Sequence, residues 1–131
     1  METFSQLLQF NFDAGAYQVT GVPLTITDAP RFPWRELMVD TSRHFQPVRI
    51  LKRVVESMTT AKLNVLHMHL VDSQAFPLVL PSAPKLSEGA WSKQERYTLQ
   101  DLADVKEYAE ARGIRVVAEV DTPGAPSRAS L

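Results

Sequence analysis

NVLHMHLVD, Asn64 to Asp72, is the stretch on which the fold turns. Val65, Leu66, Met68, Leu70 and Val71 make an almost continuous apolar run, the mark of a strand inside a parallel sheet. His67 and His69 interrupt the run and Asp72 ends it. Alternate side chains of a strand point to opposite faces, so the two histidines share one face. Buried polar groups cost free energy unless something pairs with them. These residues therefore have either structural partners or a chemical task.

On both sides of this strand the sequence alternates strand and helix. Upstream, ELMVDT (Glu36 to Thr41) is a short apolar run with a polar end. Pro47 then stands where a first helical turn tolerates it. In VRILKRVVESMTTAK the apolar residues Ile50, Leu51, Val54, Val55 and Met58 recur at spacings of three and four, an amphipathic helix. Downstream, a segment rich in proline and serine runs from Ser73 to Tyr97. Thr98 with Asp101 three residues on resembles a capping box, and Leu102, Val105, Tyr108 and Ala109 form the buried face of a second helix. Gly113 is placed to end it at C′. IRVVAEVD (Ile114 to Asp121) is the third strand, and TPGAP breaks out of it.

The order strand-helix-strand-helix-strand predicts an α/β fold with a parallel sheet covered on both faces. Open doubly wound sheets and closed (β/α)8 barrels both begin this way. No glycine-rich phosphate loop follows any strand, which removes the best reason to favour a dinucleotide fold. Residues 1 to 29 read as a β-rich lead-in. LLQFNF and AYQVT flank a turn at Asp13–Gly15, PLTIT follows Gly21, and the prolines of DAPRFPWR set an extended approach. Residues 30 to 131 carry the α/β pattern.

Composition excludes several functions. The 131 residues are 44% hydrophobic and 22% charged, a globular balance, with a formal net charge of −1. That charge, without a basic cluster interleaved with aromatics, gives no case for nucleic acid or an anionic membrane surface. Cysteine is absent, so disulfides and thiolate metal sites are excluded while the compartment stays open. METFSQLLQFNFD has no basic n-region and no apolar h-region, so no secretory leader is expected in it. No apolar run approaches the roughly 20 residues that span a bilayer.

Each strand sets its acids and histidines at its carboxyl-terminal end. Asp40 follows the first, with Arg43 and His44 beyond; His67, His69 and Asp72 lie on the second; Glu119 and Asp121 lie on the third. Parallel α/β folds bind ligands at that edge. His67, deeper in its strand, reads equally as a hydrogen-bonded core histidine or as a site residue. Glu119 and Asp121 share a face and suit either a site or ion pairs with Arg43 or Arg115. Arg35 beside Trp34 reads as a surface arginine stacked on an indole. Two chemistries remain open. The His-x-His pair with nearby carboxylates suits a divalent metal that activates water. Arginine and carboxylates around a mouth suit sugar hydroxyls and glycoside chemistry.

Three blocks carry a resemblance. PRFPWRELMVDTSRHFQPV (Pro30 to Val48), AKLNVLHMHLVDSQAFP (Ala61 to Pro77) and ERYTLQDLADVKEYAEARGIRVVAEVDTPG (Glu95 to Gly124) closely resemble the family 20 glycoside hydrolases, the β-N-acetylhexosaminidases. ETFSQLL also looks like the end of the small α/β domain that precedes the barrel in that family. The resemblance implies the opening of a (β/α)8 TIM barrel, its first three strands and two helices. It implies removal of terminal N-acetylglucosamine or N-acetylgalactosamine from glycoconjugates or chitin-like oligomers. In such enzymes the sugar's own acetamido oxygen attacks the anomeric carbon, while a glutamate acts as acid and then base beside an orienting aspartate. No metal or organic cofactor is implied. Family members are mostly lysosomal, secreted or periplasmic, and this chain carries no address of its own.

By position, the resemblance makes Arg35 the arginine that grips ring hydroxyls, with two parallel donors for vicinal oxygens. It places His69, Asp72, Glu119 and Asp121 in the supporting network. Four positions depart from the family pattern: Ser73 replaces the second aspartate of an Asp-Asp pair, Ala125 a histidine after Pro-Gly, Met68 a tryptophan and Glu36 a glycine. The family's catalytic Asp-Glu pair is missing, since no Asp-Glu dipeptide occurs in the chain. A complete barrel takes about 250 residues. The expectation is a barrel fragment without turnover of its own, with an exposed sheet edge open to self-association; the alternatives are a non-catalytic sugar-binding or assembly module and the metal-dependent hydrolase using His67 and His69.

Overall fold

The structure, a computed structural model, describes residues 2–121. The chain divides into two compact units, Met1–Pro33 and Trp34–Leu131. The first unit contains a short helix α1 (Glu2–Ser5) and a hairpin of β1 (Gln9–Asn11) and β2 (Ala16–Gln18). The strands pair antiparallel with Phe10 opposite Tyr17. The turn closes because the Asn11 side-chain oxygen accepts the backbone N–H groups of Asp13 and Ala14, while Gly15 takes the left-handed conformation at φ +63°. Phe10 packs edge-on against Phe12 and Tyr17. Pro23 to Thr27, expected as a further strand, forms none. Its β-prone residues have no neighbouring strand to complete a ladder.

The second unit holds a parallel sheet in the order β3 (Glu36–Asp40), β4 (Val65–Val71), β5 (Arg115–Val120). Two crossover helices, α2 (Val48–Thr60) and α3 (Leu99–Glu110), join these strands. Leu51, Val55 and Met58 form the buried stripe of α2, and Val105 and Ala109 that of α3. They pack with Leu66, Met68 and Leu70 from one face of β4, each no more than 1% exposed. Each such side chain contributes about 1.5–3 kcal/mol by leaving water.

The helix ends follow from local chemistry. At the start of α3 the Thr98 hydroxyl accepts the Asp101 N–H while the Asp101 carboxylate accepts the Thr98 N–H, a complete capping box. Its other end is a Schellman motif: Ile114 N–H bonds Ala109 O, Gly113 N–H bonds Glu110 O, and Gly113 sits at φ +72°. Helix α2 ends identically, Leu63 N–H to Met58 O and Lys62 N–H to Thr59 O, but with Lys62 in the left-handed position at φ +57°. A side chain there costs about 1–2 kcal/mol.

The expectation of a sheet covered on both faces needs correction. Among the described residues α2 and α3 cover one face, and the other carries the polar residues. The sheet does not close into a barrel, and the outer edges of β3 and β5 have no strand partner among the described residues. Beside β3 an apolar hollow is lined by Leu37, Ile50, Val54, Met58 and Leu63.

The 73–97 segment is ordered, and its one regular turn is a 3-10 helix, Pro84–Gly89. Its ends meet where Leu78 bridges Tyr97 and Val79 N–H bonds Tyr97 O at 2.9 Å. The Tyr97 hydroxyl is fastened to the Gln46 carbonyl and accepts the Gln46 N–H. Burial pushes that phenol up to about 12.

Candidate functional site

Register brings the polar residues together. In a parallel sheet, paired residues point the same way, so Glu36, Val65 and Arg115 form one row across the uncovered face. Met38, His67 and Val117 form the next. Asp40, His69 and Glu119 form the last, at the carboxyl-terminal end. The alternation that buries Leu66, Met68 and Leu70 under the helices therefore delivers His67 and His69 to the opposite face.

A continuous chain of contacts crosses this face. Trp34 Nε1–H donates to Glu36 Oε2 at 2.8 Å, and Glu36 Oε1 meets His67 Nδ1 at 2.8 Å. His67 Nε2 lies 2.7 Å from Glu119 Oε2, and the same oxygen lies 2.8 Å from His69 Nδ1. His69 Nε2 is 3.2 Å from Asp72 Oδ2 and 3.3 Å from Arg43 Nη1. Arg43 completes the chain, its Nη2 at 2.6 Å from Asp72 Oδ2 and its Nη1 at 2.9 Å from Asp40 Oδ2.

The backbone around this cluster is fixed. The Thr41 N–H and hydroxyl both donate to the His69 carbonyl, and the Ser42 hydroxyl donates to Ala75 O. Asp72 N–H bonds Ala75 O, and its Oδ1 accepts the Ser73 hydroxyl at 2.9 Å and the Gln74 N–H. Ser73 is thus a direct partner of Asp72. Met68 lies in the core under the helices.

These contacts set the protonation states. The Glu36 carboxylate, aided by Glu119, raises the His67 pKa against a smaller opposing effect of burial. Burial opposes charge on His69, but Glu119 and Asp72 outweigh it and raise its pKa. Hydrogen bonds from His69 and then His67 lower the Glu119 pKa, and those of Ser73, His69 and Gln74 lower that of Asp72. Burial would raise the Asp40 pKa, yet the Arg43 N–H and guanidinium and the Ser42 N–H bring it below the ordinary value. The face therefore holds paired ions and presents donors and acceptors suited to hydroxyl and amide groups.

His69, Asp72 and Glu119 meet directly. Asp121, exposed just beyond β5, joins them: it offers a carboxylate oxygen within 4.8 Å of ligand atoms of His69 and Asp72, and its N–H bonds Val71 O. His67, left open between core and site, belongs to this network. Arg35 lies elsewhere. It precedes β3 at the amino-terminal end of the sheet, where its N–H bonds Asn64 Oδ1 and its Nε–H donates to the Lys62 carbonyl at 2.5 Å. Thr122 to Gly124 and Ala125 lie outside the described residues. Sequence reasoning named Arg43 beyond the first strand, and as an ion-pair partner for Glu119 or Asp121, but gave neither it nor Glu36 a place in the site, although Asp40-x-x-Arg43 has the spacing of an ion pair across a turn.

His69, Asp72 and Asp121 are also the one grouping with metal-ligand proximity among the described residues. Here, however, the Arg43 guanidinium lies against Asp72 and His69, and both nitrogens of His67 face carboxylates. The His67/His69 pair is thus already committed to organic partners, which disfavours the metal-hydrolase reading.

Comparison with known proteins gives a consistent picture. The model of the glycosyl hydrolase family 20 catalytic domain matches residues 32–130. Beta-hexosaminidase 3 of Arabidopsis thaliana is 52% identical over 124 residues, which is 95% of this chain and 23% of that protein. The chitobiase of Flavobacterium johnsoniae superposes with a TM-score of 0.81 at 39% identity, over 95% of this chain and 18% of that one. The exo-β-N-acetylglucosaminidase of Vibrio harveyi, solved with N-acetylglucosamine, superposes at 0.76 with 30% identity, over 98% and 22%.

Proposed function

The chain belongs to glycosyl hydrolase family 20, matching its catalytic domain, and from that premise we propose that it is the opening part of a β-N-acetylhexosaminidase barrel. It spans only about a quarter of its curated relatives. In this reading β3, β4 and β5 are the first three barrel strands, and the polar face of the sheet is the wall of the sugar pocket. The observation that supports it most is the meeting of His69, Asp72, Glu119 and Asp121 at the carboxyl-terminal ends of β4 and β5. Active faces of barrels form at that end.

The assigned chemistry is retaining hydrolysis of a terminal N-acetylhexosaminide assisted by the substrate's acetamido group. This chain contributes the supporting network and the proposed sugar grip of Arg35. That grip requires the guanidinium to turn from the Lys62 carbonyl toward the polar face. Turnover needs an adjacent Asp-Glu pair aimed at one anomeric centre, and the chain contains none. Its own residues bind and orient; they do not supply the acid.

Two measurements test the proposal. With a chromogenic N-acetylglucosaminide the purified chain should show no turnover; turnover that disappears in Arg35→Ala would overturn the assignment of inactivity. Calorimetry with N-acetylglucosamine should give a heat that weakens in Asp72→Asn and in Arg35→Ala. Equal heats in all three proteins, or none in any, would reject sugar recognition by this face.

A further inference from the structure

His67 is the unusual member of the polar network. Both its ring nitrogens face carboxylate oxygens, Glu36 Oε1 at 2.8 Å and Glu119 Oε2 at 2.7 Å. Where both carboxylates are ionised they can only accept, so both nitrogens donate and His67 is held between them as an imidazolium. His69 differs. Its Nδ1 also faces Glu119 Oε2, but its Nε2 lies between an acceptor, Asp72 Oδ2, and a donor, Arg43 Nη1. Its Nε2 therefore has a partner whether or not it carries a proton.

The two imidazoles meet at one atom. Glu119 makes its contacts to both through Oε2, and among the described residues Oε1 takes no part in these contacts. Glu119 is partly exposed, its side chain at 40%. Glu36 begins the chain, tied at one oxygen to Trp34 and at the other to His67.

We propose that Glu36 is a positioning residue that acts through His67 on Glu119, couples the two histidines of β4 across a single carboxylate oxygen, and leaves the other oxygen of Glu119 to accept from a ligand. Glu36 touches no sugar in this scheme. Its charge holds the proton on His67, the charged His67 claims Glu119 Oε2, and His69 shares what remains. The proposal deepens the reading of this face as a sugar wall, yet its test needs no sugar, so the two can fail separately.

The coupling has a sign that a merely structural role would not produce. Among the described residues the charged groups on this face are Glu36 and Asp40 of β3, His69 of β4 and, by register, Arg115 and Glu119 of β5, with Arg43, Asp72 and Asp121 beyond the strand ends. Glu36→Gln keeps the shape and an acceptor for His67 but removes the charge. The His67 midpoint should then fall by about one pH unit, a tenfold loss in proton affinity. The His69 midpoint should rise, because His67 is less often charged at a given pH and its claim on Glu119 Oε2 weakens.

Proton and carbon NMR titration of the ring resonances of the full chain reads both midpoints, with His44, which takes no part in these contacts, as internal reference. Opposite movements of His67 and His69 in Glu36→Gln support the proposal. Movement in the same direction, or an unmoved His69, overturns it. Should Glu36→Gln fail to fold, Glu119→Gln decides: both midpoints should fall together, and a fall confined to one histidine denies the shared oxygen.

Discussion

The two faces of β4 are made from neighbouring residues of one strand, yet they are held by different forces. Leu66, Met68 and Leu70 are sealed under α2 and α3, and their stabilisation scales with area taken from water. His67 and His69 are held by charge-assisted hydrogen bonds to Glu36, Glu119 and Asp72. The covered face is indifferent to pH and sensitive to volume. The polar face is the reverse. A single period-two alternation thus separates the part that folds the chain from the part available for chemistry.

The contrast can be broken most severely from the covered side. Leu66→Ala removes a fully buried side chain at the centre of the core and should cost about 2–5 kcal/mol in urea unfolding. In a unit of this size such a loss should leave much of the protein unfolded; a loss below 1 kcal/mol would mean that the helices do not pack as described. On the other face His69→Ala, at a residue only 7% exposed, should cost less, about 1–3 kcal/mol. A cost equal to that of Leu66→Ala would erase the distinction between the faces.

Changing pH tests the polar face without mutation. His67 and His69 have raised folded-state pKa values, so their contribution is fully present below the ordinary imidazole value and is lost as pH rises through the raised ones. Glu119, Asp72 and Asp40 have lowered values, so their contribution is present above the ordinary carboxylate range and is lost as pH falls through the lowered ones. Unfolding midpoints should therefore peak in mildly acidic solution and fall toward alkaline pH. A flat profile would show that the network adds nothing to stability. The smallest effect should come from Lys106→Ala, which removes the exposed pair with Glu110 on α3. It should cost about 0.5 kcal/mol or less, and less still in high salt.

Much of this arrangement was legible before any coordinates. The strands Val65–Val71 and Arg115–Val120 lie within one residue at each end of the runs read from apolar patterning, and the Thr98 capping box and Gly113 stop fall where their residue types place them. The common face of His67 and His69 followed from alternation alone. Cross-strand neighbours did not, because register is set by packing: that Asp40, His69 and Glu119 share a row cannot be read from spacing within any one strand. The contact of Glu36 with His67, 31 residues away, was unreadable for the same reason. Arg43 was read as an ion-pair partner for Glu119 or Asp121, whereas its side chain folds back to Asp40 and Asp72, a choice that spacing does not fix. Arg35 shows the opposite case: the resemblance drew it to the pocket, while its backbone sits at the far end of β3.

The fastening of the 73–97 segment has a consequence for handling the protein. Its prolines and serines suggest a connector that proteases would cut first. Instead the Tyr97 ring lies against Phe45 with its hydroxyl on Gln46, Trp91 Nε1–H is bonded to Ser42 O at 2.9 Å, and Ala75 accepts from Ser42. A protease must draw several residues out into an extended form before it cleaves, and here those residues are riveted at three points to the β3–α2 turn. Limited digestion should spare this stretch until the whole second unit opens, so it behaves as a rib of the scaffold and not as a tether.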